Sequence, residues 1–158
     1  MSDHDFELLP TGKQHVSFSE VSMWDKCSFK HSLVHIKKLE NSAPSPILVF
    51  GTAVHAACEN FLLTKEMNVG ICAAELAKGW KEYSTHPEFD DRSLEEAINT
   101  AQEMLLEVPQ FIDSNFPNWE TVDAEHELYE PIDGHKHAFK GFIDGVIKST
   151  DKKGNPLY

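Results

Sequence analysis

The apolar pattern changes period once, at Trp119, and that change limits the architecture more than any other feature of the chain. Ahead of it, apolar side chains recur at three- and four-residue spacing, as on an amphipathic helix. Behind it, Val122, Ala124, His126 and Leu128 alternate with Asp123, Glu125 and Glu127, the period of a strand. Helices come first and a sheet is added late. The expected class is α/β: N-terminal helices followed by an antiparallel meander.

Residues 1–16 carry no period and read as irregular. Ser17-Phe18-Ser19-Glu20 has the capping-box pattern, in which Ser17 caps a helix and Glu20 reaches back. That helix is expected to run to about Lys38, with Val21, Trp24, Phe29, Leu33 and Ile36 as its apolar stripe. Asn41, Ser42, Pro44, Ser45 and Pro46 mark a loop over 40–46. Ile47 to Phe50 leads into Gly51, and a helix follows to about Thr64, with Val54, Ala57 or Cys58, and Phe61 facing inward. Another covers roughly 69–83, with Leu76, Trp80 and Tyr83 on one face, and His86-Pro87 breaks it. Ser93-Leu94-Glu95-Glu96 is a second capping box. It opens a long helix with an inner face of Ala97, Ala101, Leu105 and Val108, kinked or ended by Pro109. Asp133-Gly134 is a hairpin turn signal, Ala138 to Ile147 the return strand, and 152–155 a second turn before Pro156-Leu157-Tyr158. Residues 1–158 are expected to form one domain.

The net charge of −12 argues against nucleic-acid binding by bulk charge. Carboxylates that hold metal ions add negative charge, so a metal-dependent enzyme remains compatible with it. The densest basic stretch lies between Lys26 and Lys38. Lys30, Lys37 and Lys38 there are candidates for backbone contacts, against the alternative of a solvated helix face. No stretch reads as long and apolar enough to cross a membrane. Met1-Ser2-Asp3-His4-Asp5 is not a secretory signal. Cys27, Cys58 and Cys72 form no CxxC pair and fit free thiols in a reducing, cytoplasmic compartment.

His55 and Glu59 stand four apart on a helix and share a face. The imidazole is a candidate metal ligand; a helix histidine paired with a glutamate is the alternative. Asp144 sits between Ile143 and Val146, where a carboxylate is costly unless paired or bound to a cation. Gly141 and Gly145 flank it and allow close backbone approach. Glu125 and Glu127 point to one face of the preceding strand, and the turn could bring them near Asp144. Such a set of carboxylates with a histidine suits Mg²⁺ or Mn²⁺; the wet side of a half-buried strand is the alternative. His135-Lys136-His137 reads as a hairpin tip. No phosphate-binding glycine loop, dinucleotide fingerprint or nucleophile elbow is present.

Three of these segments together resemble the RecB-like branch of the PD-(D/E)XK nuclease superfamily. They are Ser17-Phe18-Ser19 through Trp24 and Cys27-Ser28-Phe29, Phe50-Gly51-Thr52-Ala53-Val54-His55 through Glu59, and Lys140-Gly141-Phe142-Ile143-Asp144-Gly145. The resemblance runs from about Ser17 to Tyr158 and implies a restriction-endonuclease-like core. It implies that His55 and Asp144 are metal ligands, that Glu59 supports the site, and that Glu127 or Glu125 fills an acidic position. The implied reaction is metal-dependent hydrolysis of DNA phosphodiester bonds, of exonuclease type, in recombination, repair or phage DNA processing. Some relatives carry an iron–sulfur cluster on a cysteine at this N-terminal position and three more near the C-terminus. None is expected here, and Cys27 reads as a packed thiol.

The resemblance also implies a further strand bearing Asp/Glu-x-Lys. No Asp/Glu-x-Lys is expected after Asp144, since Lys148, Lys152 and Lys153 fall too early and in a turn. The sheet is therefore expected to be incomplete at the C-terminus, with the lysine strand beyond Tyr158 and little or no activity from these residues alone. A non-catalytic, nuclease-derived binding or interaction module is the other reading.

Overall fold

The structure, a computed structural model, describes residues 6–39, 45–151, 153 and 155–157. Two compact units are present. One comprises the described residues of Met1–Ser42 and His126–Ile143, the other those of Ala43–Glu125 and Asp144–Tyr158. Strand β2 (Glu120–Pro131) and strand β3 (Ala138–Thr150) each contribute to both.

In the first unit, β1 (His15–Ser17) pairs in parallel with β3, His15 opposite Ala138 and Ser17 opposite Lys140. The expected irregular segment 1–16 thus ends in a strand. Three residues are too few to show a period. Ser17 caps α1 (Phe18–Lys26), its Oγ accepting from the Glu20 N–H at 3.4 Å. The Glu20 side chain turns inward instead of reaching back, with Lys13 Nζ at 3.6 Å and His31 Nε2 at 3.4 Å.

The single helix expected to Lys38 is broken. Cys27 is extended (φ −162°, ψ 98°), followed by the short α2 (Ser28–His31) and a π-helical turn over Ser32–Ile36. The five-residue step from Trp24 to Phe29 was already out of helical period. Val21, Trp24, Phe29 and Ile36 are exposed, so the stripe is not a core face. Cys27 is exposed as well, not packed; its Sγ accepts from the Lys30 N–H at 3.5 Å and caps α2. Between β2 and β3, the His135 N–H donates to Ile132 O at 3.0 Å, and Gly134 supplies the left-handed φ of 72° that the turn requires. His135-Lys136-His137 lies at this tip as expected, with Lys136 Nζ 2.5 Å from Glu7.

In the second unit, α3 (Pro46–Thr64), α4 (Val69–Glu82) and α5 (Asp91–Asn115) pack together around Ala53, Ala57, Leu76, Trp80, Ala101 and Leu105. Helix α3 begins at Pro46, not Gly51, because proline at the first turn forfeits no helical hydrogen bond. Residues 40–44 of the expected loop lie outside the described residues. The earlier start adds Ile47 to Phe50 and corrects one expectation: at 19 residues, α3 is long and apolar enough to cross a membrane by length and composition. Ala53, Ala57 and Phe61 of this helix are buried in the unit. A Cβ on Gly79 would lie 2.2 Å from Val49 Cγ1, so glycine sets the close approach of α3 and α4.

Helix α5 is capped by Asp90, not by Ser93. Asp90 Oδ1 accepts the Ser93 N–H at 2.7 Å, while Ser93 Oγ serves Trp80 Nε1 and Glu88 O, each at 2.9 Å. The helix runs through Pro109 to Asn115. The bond from the Ser93 backbone holds the Asp90 carboxyl below its ordinary value, with the Ser93 side chain as a second cause. A lowered folded value means stability present above the ordinary aspartate range and lost as pH falls through the folded value. Asp90→Ala is therefore expected to lower the neutral-pH Tm by a few degrees, and the gap to the parent chain to close in acid, as thermal melts across pH will show.

Strand β4 (Pro156–Leu157) pairs antiparallel with β3, Ser149 opposite Leu157. Lys152, Gly154 and Tyr158, which belong to the second expected turn and third strand, lie outside the described residues. The strand order is β1-β3-β2, with β4 paired to β3 off that path. Because β1 is parallel, the sheet is mixed and not a purely antiparallel meander.

Candidate metal centre

Three side chains of the second unit converge from three elements: His55 on α3, Glu125 on β2 and Asp144 on β3. One donor atom from each lies within 4.8 Å of the others. His55 Nε2 is in direct contact with Glu125 Oε1 and 3.9 Å from Asp144 Oδ1. His55 and Glu125 are partly exposed, at 38% and 35%. Asp144 is 79% exposed, which corrects the premise that its carboxylate is buried at a cost. Its strand is apolar in sequence, yet this position faces solvent and needs no partner to be tolerated.

Backbone geometry aims the other two groups. Glu125 has a left-handed φ of 54°, which interrupts the two-residue alternation of β2. That is why Glu125 and Glu127 do not share a neighbour as expected: Glu125 contacts His55, whereas Glu127 pairs with Lys140 Nζ at 2.9 Å. A Cβ on Gly145 would lie 2.3 Å from Leu62 Cδ1, so the glycine after Asp144 admits α3 close to β3. His55 finds its partner in Glu125 and not in Glu59. Glu59 instead lines, with His55 and Asp144, a cleft of about 470 Å³.

The donor set is one imidazole nitrogen and two carboxylate oxygens. Around an octahedral ion with bonds of ~2.1 Å, neighbouring donors stand about 3 Å apart and opposite ones about 4 Å. The His55–Asp144 separation of 3.9 Å lies within that range. The donor chemistry suits a hard or borderline divalent cation rather than a thiophilic metal.

The basic candidates lie elsewhere, in the first unit. Lys30 and Lys37 are exposed, and Lys38 Nζ donates to Thr11 O at 3.0 Å. One pattern escaped the sequence reading: Asp151-Lys152-Lys153 does have Asp-x-Lys spacing. Asp151 is spent on its turn. Its Oδ1 accepts the N–H groups of Lys153 and Asn155 at 2.7 and 2.8 Å, and its Oδ2 accepts from Asn155 Nδ2 at 2.8 Å.

Residues 15–156 match the sequence profile of the PD-(D/E)XK nuclease superfamily. No curated protein and no solved structure matches the chain.

Proposed function

Because this chain belongs to the PD-(D/E)XK nuclease superfamily, we propose that it is a metal-dependent deoxyribonuclease of the RecB-like branch. It acts inside the cell as an exonuclease in recombination, repair or phage DNA processing. The observation that carries this reading is the convergence of His55, Glu125 and Asp144 donor atoms within 4.8 Å.

In this reading Asp144 and Glu125 supply anionic oxygens to Mg²⁺ or Mn²⁺ and His55 supplies the nitrogen. A divalent ion held there would offset charge building on the scissile phosphate and acidify an attacking water. Glu59, one helical turn from His55, lines the cleft and supports the polar surface around the imidazole. Lys30 and Lys37 offer exposed charges for the DNA backbone.

A second reading has its own support. Two clefts that His55 lines have no lysine among their described wall residues. A module that keeps the ion site and binds DNA without cutting it would look the same. Linear duplex DNA incubated with the chain and Mn²⁺, with and without EDTA, separates the two. Chelator-sensitive cleavage supports the nuclease. Mn²⁺ binding and DNA retention without cleavage support the module. Failure to bind Mn²⁺ at all overturns both.

A further inference from the structure

Every described glycine but one has a reason in the fold. Gly12 and Gly134 carry a left-handed φ. A Cβ on Gly70, Gly79, Gly141 or Gly145 would press on a neighbouring side chain at 3.3 Å or less. Gly51 has neither reason. Its φ is not left-handed, and a Cβ there would meet nothing within 4 Å among the described residues. It lies inside α3, where glycine is less favourable than alanine because of its backbone entropy. The fold bears that cost with no turn and no close packing to offset it.

The space above Gly51 opens onto the candidate metal centre. Gly51 stands one helical turn ahead of His55, on the same face of α3. Both line the cleft of about 470 Å³ that Asp144 shares, and both line a second cleft of about 510 Å³ that Glu125 shares. The second cleft is apolar away from the donors. Ile47 and Leu48 in its wall are 81% and 72% exposed, and the Thr52 hydroxyl already donates to Leu48 O at 3.1 Å. Such a wall offers little to a phosphate and suits the apolar part of a nucleotide. In a strand whose phosphate sits at the ion, the nearest apolar part is the adjoining sugar. Glycine is the residue that lets a ligand come close to the backbone.

We propose that Gly51 sets how closely the substrate approaches the His55 centre: the deoxyribose beside the scissile phosphate packs on its bare α-carbon, between Leu48 and His55. The inference rests on the deoxyribonuclease reading above and adds a specificity-determining residue to that site. A side chain at position 51 would occupy the space of the sugar and lift the phosphate away from the ion. It would leave the three donors of the ion site in place.

Gly51→Ala and Gly51→Leu, compared with the parent chain, test this through three measurements: the Tm, the Mn²⁺ affinity by calorimetry, and capture of labelled linear DNA on a filter within seconds of mixing with Mn²⁺. Both variants should melt a few degrees above the parent, since alanine and leucine are the better helix formers. The Mn²⁺ affinity should hold. DNA capture should weaken by about tenfold for alanine and by more than about 100-fold for leucine, the scale of loss that a misplacement of ~1 Å produces. Equal capture by all three chains overturns the proposal and leaves the nuclease reading standing. A lower Tm in Gly51→Ala overturns it as well, because the glycine would then serve the fold. A fall in Mn²⁺ affinity that matches the fall in capture overturns it by moving the effect to the ion. A parent chain that captures no DNA overturns the deoxyribonuclease reading and this inference with it.

Discussion

Asp144→Asn will lower the affinity of this chain for Mn²⁺ by more than about 100-fold, since loss of even an outer partner of a metal ligand typically costs ~10–100-fold. The substitution keeps the shape of the side chain and removes the anionic oxygen. Asp144 is 79% exposed, so the fold does not depend on it and the Tm should hold. His55→Ala should act in the same direction through the imidazole, although it also strips Glu125 of its contact. Calorimetric titration with Mn²⁺ reads the loss directly, and it does so whether or not DNA is cut. An affinity unchanged by Asp144→Asn would remove the residue from the ion site and leave the proposed chemistry without its central group.

The largest effect on stability is expected at Leu76. Its side chain is fully buried in α4, within the cluster that joins α3, α4 and α5. Leu76→Ala will cost about 2–5 kcal/mol, from lost transfer energy and from the cavity left behind. For a chain of this size that is a drop of roughly 5–15 °C in Tm. Leu63→Ala is the control, because Leu63 is 63% exposed on α3. Chemical denaturation of the two variants should separate them clearly. A Leu76 effect no larger than that of Leu63 would mean that the three helices do not share one core.

Much of the second unit was legible because local and long-range demands agree there. Leu76 and Trp80 lie one helical turn apart, and both are buried as the period requires. Ala101 and Leu105 repeat the pattern on α5. The Asp133-Gly134 turn was legible because its chemistry is local. Errors arose where a neighbour distant in sequence decides. Ser93 looked like a cap, but Trp80 takes its hydroxyl and Asp90 caps in its place. Val16 gave no strand signal because its partner is Phe139, far along the chain. At the candidate site, the residue types His55, Glu125 and Asp144 could be named from the sequence. That Glu125 and not Glu127 meets His55 could not, since a positive φ at one residue leaves no mark in the alternation.

That backbone angle bears on how the chain evolves. A left-handed residue with a side chain is disfavoured by roughly 1–2 kcal/mol, a penalty glycine escapes. Position 125 therefore sits under two opposed pressures: folding favours glycine or asparagine, and the carboxylate beside His55 favours glutamate. A lineage that had stopped using the site would drift toward the relaxed residue, gaining stability with nothing to lose. Glu125→Gly would therefore relieve the backbone and at the same time take the carboxylate away from His55.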